Sequence, residues 1–95
     1  MLRDLPEQWC RLTDHRQRRV FEEELKKELG AAHPLAGLPV TVIARRDDRD
    51  DVLVMLAGGR VAEVHLTWSN KGEVGPRWPR TVIFASMEDW LARQV

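Results

Sequence analysis

The sequence lacks most of the features that would assign a chain quickly. It has a single cysteine, Cys10, so no intrachain disulfide can form and a disulfide-dependent secreted fold is excluded. It has no run of about 18 apolar residues, which speaks against a membrane-spanning helix. The opening residues, Met1-Leu2-Arg3-Asp4-Leu5-Pro6, hold no apolar signal-peptide core. A cytoplasmic location is therefore expected. Net charge is lacking too, because fifteen basic residues balance fifteen acidic ones. That balance argues against a dedicated nucleic-acid binder, which needs a positive surface to meet phosphate. It also leaves little repulsion between copies, so self-association fits the composition. No internal repeat or low-complexity stretch occurs.

What is present suffices for one folded unit. A chain of 95 residues makes one domain. At that size it buries roughly 60–68% of its unfolded surface. The hydrophobic fraction of 43% and the charged fraction of 32% place it among ordinary globular proteins, not disordered ones.

Residues 6–12 read as a short helical turn, with Pro6 at its first position and Trp9 and Leu12 sharing a face. Thr13 or Asp14 then caps a longer helix that runs to about Leu29, and Asp14 and Gln17 have the spacing of a capping box. Phe21, Leu25 and Leu29 form its narrow apolar stripe. The pairs Arg18/Glu22, Arg19/Glu23, Glu22/Lys26 and Glu23/Lys27 describe a solvated face. Gly30 is the expected helix terminator. Residues 31–39 form a connector in which His33-Pro34 is extended and Pro39 marks the entry to a strand.

Three strands follow, at 40–46, 52–57 and 60–68. The middle one is apolar throughout, and its neighbours alternate. Gly58-Gly59 reads as a two-residue hairpin turn and residues 47–50 as a four-residue loop. These lengths set Met55 opposite Ala62 and Leu53 opposite Val64, then Ala44 opposite Leu53 and Val42 opposite Met55. One face then carries Val40, Val42, Ala44, Leu53, Met55, Ala62, Val64 and Leu66, and is the expected core. The other carries Thr41, Leu56, Val61, Ile43, Val54, Glu63, Arg45, Val52 and His65. Residues 69–76 are a polar Gly/Pro loop, 81–85 a fourth strand, and Ser86 with Asp89 caps a last helix bearing Trp90 and Leu91. The fold class expected is α+β: an N-terminal helix, an antiparallel meander of three to four strands and a short C-terminal helix. Both helices are expected on the Val42/Leu53/Val64 face.

Few residues could carry chemistry. Glu63 and His65 point the same way two residues apart, as an acid/base pair or two metal ligands would, with His33 as a third donor. A mixed sheet face with solvated polar tips accounts for such a pair more simply. Cys10 has no evident base, because His15 lies off its helical face, and a plain thiol accounts for it. Residues 67–73 superficially suggest a phosphate loop but lack the Gly-x-x-x-x-Gly-Lys-Ser/Thr spacing and a following helix. A surface loop pinned by Trp68 and Trp78 explains them, and such tryptophans also suit recognition. Arg16, Arg18, Arg19, Arg45, Arg46, Arg77 and Arg80 are interleaved with acidic residues.

The stretch Gly59-Arg60-Val61-Ala62-Glu63-Val64-His65-Leu66-Thr67-Trp68, then Pro76-Arg77-Trp78-Pro79, then Phe84 and Asp89-Trp90, resembles a group of small bacterial proteins. These share a V-H-L-T-W strand followed by a W-P element. The resemblance runs from Pro34 onward. It implies a bacterial source and gives no residue a catalytic role.

The function these readings point to is a non-enzymatic protein-interaction module of accessory or immunity type. It would dock a protein partner or a second copy of itself through Ile43, Val54, Leu56, Val61, Glu63, His65, Trp68 and Trp78, because a half-apolar sheet face calls for a cover. No metal, cofactor, membrane or nucleic acid enters that reading. The alternative is a small enzyme or metal-binding protein using His65 and Glu63.

Overall fold

The computed structural model describes residues 5–29, 33–66 and 80–93. Among these described residues, five strands and two α-helices follow one another as β1 (Trp9–Arg11), α1 (His15–Glu28), β2 (Val40–Arg46), β3 (Asp51–Leu56), β4 (Val61–His65), β5 (Arg80–Phe84) and α2 (Met87–Ala92). The strands form one antiparallel sheet in chain order, β1-β2-β3-β4-β5. The α+β class holds, with five strands where three to four were expected.

The additional strand is β1, where a helical turn was expected. Pro6 opens a tight turn closed by the Trp9 N–H on the Pro6 carbonyl at 2.9 Å. Trp9, Cys10 and Arg11 then pair with Arg46, Arg45 and Ala44. Three residues are too few to show a period, so pairing with β2 decides their conformation.

Helix α1 starts at one of the two expected caps. Asp14 is its N-cap, and its carboxylate accepts the Arg16 N–H at 2.8 Å. Its charged side is less solvated than the pairing pattern suggests, since Glu24 and Glu28 are buried. Glu22 turns to the sheet instead and accepts the Val42 N–H at 2.9 Å. This N–H points away from β3, and β1 does not extend far enough to meet it. The helix side chain satisfies a donor that the short strand leaves over.

The four-residue loop at 47–50 sets Ala44 opposite Leu53 and Arg45 opposite Val52, as its length predicts. Two features then shift the remaining register. A bulge at Ile43 moves Val42 opposite Val54. The second hairpin turns through three residues, Ala57–Gly59, with Gly58 and Gly59 both at positive φ. The Leu56 N–H closes it on the Arg60 carbonyl at 2.9 Å. Leu53 therefore faces Glu63, and Val54 faces Ala62. A one-residue slip sends every side chain of a strand to the opposite face.

The core is consequently double. On one face Val40, Val42, Val52, Val54, Leu56, Ala62, Val64 and Leu66 pack with Leu12, Leu25, Leu35 and Phe21 under α1. On the other, Leu53, Met55, Val61, Ile43 and Ala44 pack with Trp9, Phe84, Met87, Trp90 and Leu91 under α2. The expected single core face is thus corrected: Ala44, Leu53 and Met55 belong to the opposite side, and the helices cover both sides. Ser86 caps α2 as expected, accepting the Asp89 N–H at 3.1 Å.

Candidate functional site

Strand β4 sends Val61, Glu63 and His65 to the α2 face. Val61 is fully buried among the aromatic residues there. Glu63, at the middle of the strand, accepts a hydrogen bond from the Trp90 indole N–H at 2.9 Å. Trp90 in turn meets Trp9 edge-on, with ring centroids 5.2 Å apart and planes at 84°. Glu63 is therefore the polar anchor of α2 and only partly exposed.

His65 lies directly opposite Asp51 on β3. Its Nδ1 is 2.6 Å from Asp51 Oδ1, with the imidazole 46% exposed and the carboxylate only 7%. A carboxylate can only accept, so Nδ1 is the donor in this contact. Arg46 lies near enough to feel the charges of both Asp51 and Glu63, but its own hydrogen bonds go to Asp48, at 2.6 and 3.3 Å. That guanidinium holds the Asp48 carboxyl below its ordinary range.

The acid/base arrangement is therefore Asp51–His65, not Glu63–His65. The two expected residues share a face as predicted, yet each has its own partner. Asp51 could be found only with the three-residue hairpin, because a two-residue turn sets His65 against Val52. His33 does not join them. It is buried on the α1 face, where its Nδ1 accepts the Leu35 N–H at 3.0 Å and its Nε2 lies 3.1 Å from Thr81 Oγ1. Among the described residues no group of three or more His, Cys, Asp or Glu could hold a metal ion.

The expected interaction surface is redistributed. Val54 and Leu56 are buried under α1, and Val61 is buried under α2 with Ile43 packed beside it. The half-apolar face that needed a cover is covered by the chain itself, so these four residues offer no accessible patch. Trp68 and Trp78, with residues 67–73 and Arg77, lie outside the described residues. Cys10 is exposed, and its thiol donates toward Asp47 at 3.1 Å. That hydrogen bond and the carboxylate charge raise its pKa, the opposite of what a nucleophile needs. The arginines are engaged locally: Arg45 with Asp47 at 3.5 Å, Arg46 with Asp48, and Arg18 with the Leu12 carbonyl at 3.1 Å.

Exposed apolar surface lies elsewhere. Val82 and Ile83 of β5 are 57% and 39% exposed, on opposite faces of the sheet. Among the described residues no strand pairs with the outer side of β5. Composition alone does not reveal this, since β-branched residues at 81–85 look the same in an inner strand as in an edge strand.

No family model matches the chain, and no curated protein or solved structure matches it. Among the described residues no helix is long and apolar enough to cross a membrane.

Proposed function

We propose that this protein is a non-enzymatic interaction module whose docking element is the outer edge of β5. The observation that carries the reading is a sheet edge with no pairing strand among the described residues, bearing two exposed β-branched side chains, Val82 and Ile83. Natural edge strands are commonly blunted by charge, proline or extreme shortness. The opposite edge has such protection, because β1 is three residues long and carries Arg11. In the centre of β5 neither residue is charged. An extended segment added there gains main-chain hydrogen bonds and a shallow apolar contact on each face. The interaction reading thus moves from the sheet face expected over Ile43, Val54, Leu56, Val61, Glu63 and His65 to the neighbouring edge.

The test is retention of a specific protein, this chain itself included, on the tagged protein exposed to an extract of its source organism. Val82→Lys and Ile83→Lys should abolish retention and leave the circular dichroism spectrum unchanged. Equal retention by the wild type and both variants would sink the reading.

The Asp51–His65 contact favours a second reading, a small enzyme in which His65 acts as general base and Asp51 positions it. With Glu63 held by Trp90, this replaces the metal version built on Glu63 and His65. Turnover of any screened substrate that disappears in His65→Gln and falls in Asp51→Asn, with the fold intact, would support it. Unchanged turnover in His65→Gln would end it.

A further inference from the structure

Resting on the docking role of β5, we infer that its partner is a second copy of this chain, joined antiparallel across a two-fold axis at Ile83. The hydrogen-bond phase of the sheet leads there. The Leu56 N–H bonds the Arg60 carbonyl and the Leu66 N–H bonds the Asp50 carbonyl, both at 2.9 Å. In an antiparallel pair, bonded and non-bonded rows alternate. Val52 with Val64 and Val54 with Ala62 are therefore the bonded rows between β3 and β4. Glu63 and Val61 then direct their main-chain groups to the other side, toward Val82 and Phe84. Val82 and Phe84 face inward, and Ile83 between them directs its N–H and C=O outward.

An axis through Ile83 lets each copy's Ile83 N–H donate to the partner's Ile83 carbonyl. It sets the two Ile83 side chains together on the α1 side. On the α2 side it sets Val82 against the partner's Phe84, twice. An axis one residue earlier, at Val82, would also align outward groups, but it would set Arg80 against Phe84. Of these two registers, the Ile83 one covers apolar side chains with apolar side chains.

Charge points the same way. Continuing the Ile83 register places Arg80 opposite the partner's Ser86. Ser86 caps α2, whose first turn carries Glu88 and Asp89. The basic first residue of each β5 thus lies toward the end of the other strand that leads into Glu88 and Asp89, at two equivalent places. The formal net charge is zero, so no overall repulsion opposes association. An isologous contact needs one surface that complements itself, and this strand meets that condition. The result is a continuous ten-stranded sheet in which two outer edges become inner ones.

Sedimentation of the purified full chain across a wide concentration range tests the inference. A concentration-dependent dimer is expected for the wild type, and a monomer for Ile83→Lys. A second variant, Ile83→Cys in a Cys10→Ser background, is expected to form an intermolecular disulfide on mild oxidation. Thr41→Cys in that background, exposed on β2 and three strands from β5, is expected to form none. A strict monomer at the highest concentration, or a dimer that Ile83→Lys leaves intact, overturns the pairing. If the wild type is monomeric but still retains another protein through Val82 and Ile83, only the choice of partner fails. If nothing is retained through β5 either, the docking reading falls with it.

Discussion

The two faces of this sheet are covered by different means. Over one face lies the 14-residue helix α1, whose contacts are spread across many aliphatic residues: Leu12, Leu25, Leu35, Val42, Val54 and Val64 among them. Over the other lies α2, six residues long, held chiefly through one buried tryptophan. A helix of six residues is far below the ~12–15 that makes an isolated helix even marginal in water. Trp90 therefore does most of the work of keeping α2 in place. It fills the face, meets Trp9 edge-on and donates to Glu63. A distributed contact loses stability in portions, whereas a single anchor fails at once.

The comparison breaks most readily at Trp90. Trp90→Ala removes the largest buried side chain and should cost ~3–5 kcal/mol, against a total of about 5–15 kcal/mol for a small domain. Urea unfolding measures the loss. Hydrogen exchange should show α2 and β5 losing protection first while α1 retains it. Leu25→Ala, on the other face, should cost ~2–5 kcal/mol without singling out one element. A cost for Leu25→Ala above that of Trp90→Ala would contradict the contrast.

A smaller change separates the ring from its N–H. Trp90→Phe keeps much of the apolar volume but leaves the Glu63 carboxylate without its donor. Glu63 is only half-buried and can turn to water, so the loss should lie at the low end of the about 1–3 kcal/mol that a buried group stripped of its partner costs. Glu63→Gln keeps an acceptor in place and should cost less. A double-mutant cycle between Trp90→Phe and Glu63→Gln should show coupling, because the two residues share one hydrogen bond. Strict additivity would mean that the bond contributes nothing.

These same residues show what could be read from the sequence and what could not. Both helix N-caps were legible at Asp14 and Ser86, because a capping side chain acts within its own turn. The loop at 47–50 was legible for the same reason. The phase of β3 was not. Val52, Leu53, Val54, Met55 and Leu56 are apolar in both phases, so a uniformly apolar face is found whichever way the strand is turned. The bulge at Ile43 and the third turn residue, Ala57, leave no mark in that pattern, and each reverses the side on which following residues lie. That one-residue shift is what brings Asp51, and not Val52, opposite His65. The β5 edge was hidden for another reason, since being an edge depends on which strands pair and leaves no mark on the strand itself.

Cys10 offers the mildest test of how the faces are joined, because β1 sends Trp9 to the α2 side and Cys10 to the other. Its thiol is exposed and donates to Asp47, which Arg45 also contacts. The hydrogen bond favours the protonated thiol, and the nearby carboxylate disfavours the thiolate. Arg45 opposes this more weakly, so the net direction is upward. At any pH near or below the ordinary thiol range, less thiolate is present than in a free cysteine, and alkylation is correspondingly slow. Asp47→Asn removes the charge and weakens the acceptor. Its rate against iodoacetamide should exceed that of the wild type, and its pH profile should rise at lower pH. Stability should change by no more than ~0.5 kcal/mol, as for an exposed polar substitution. Superimposed profiles would show that Asp47 does not control the thiol. A large loss of stability would show that this exposed corner supports β1, and with it Trp9 and the α2 face.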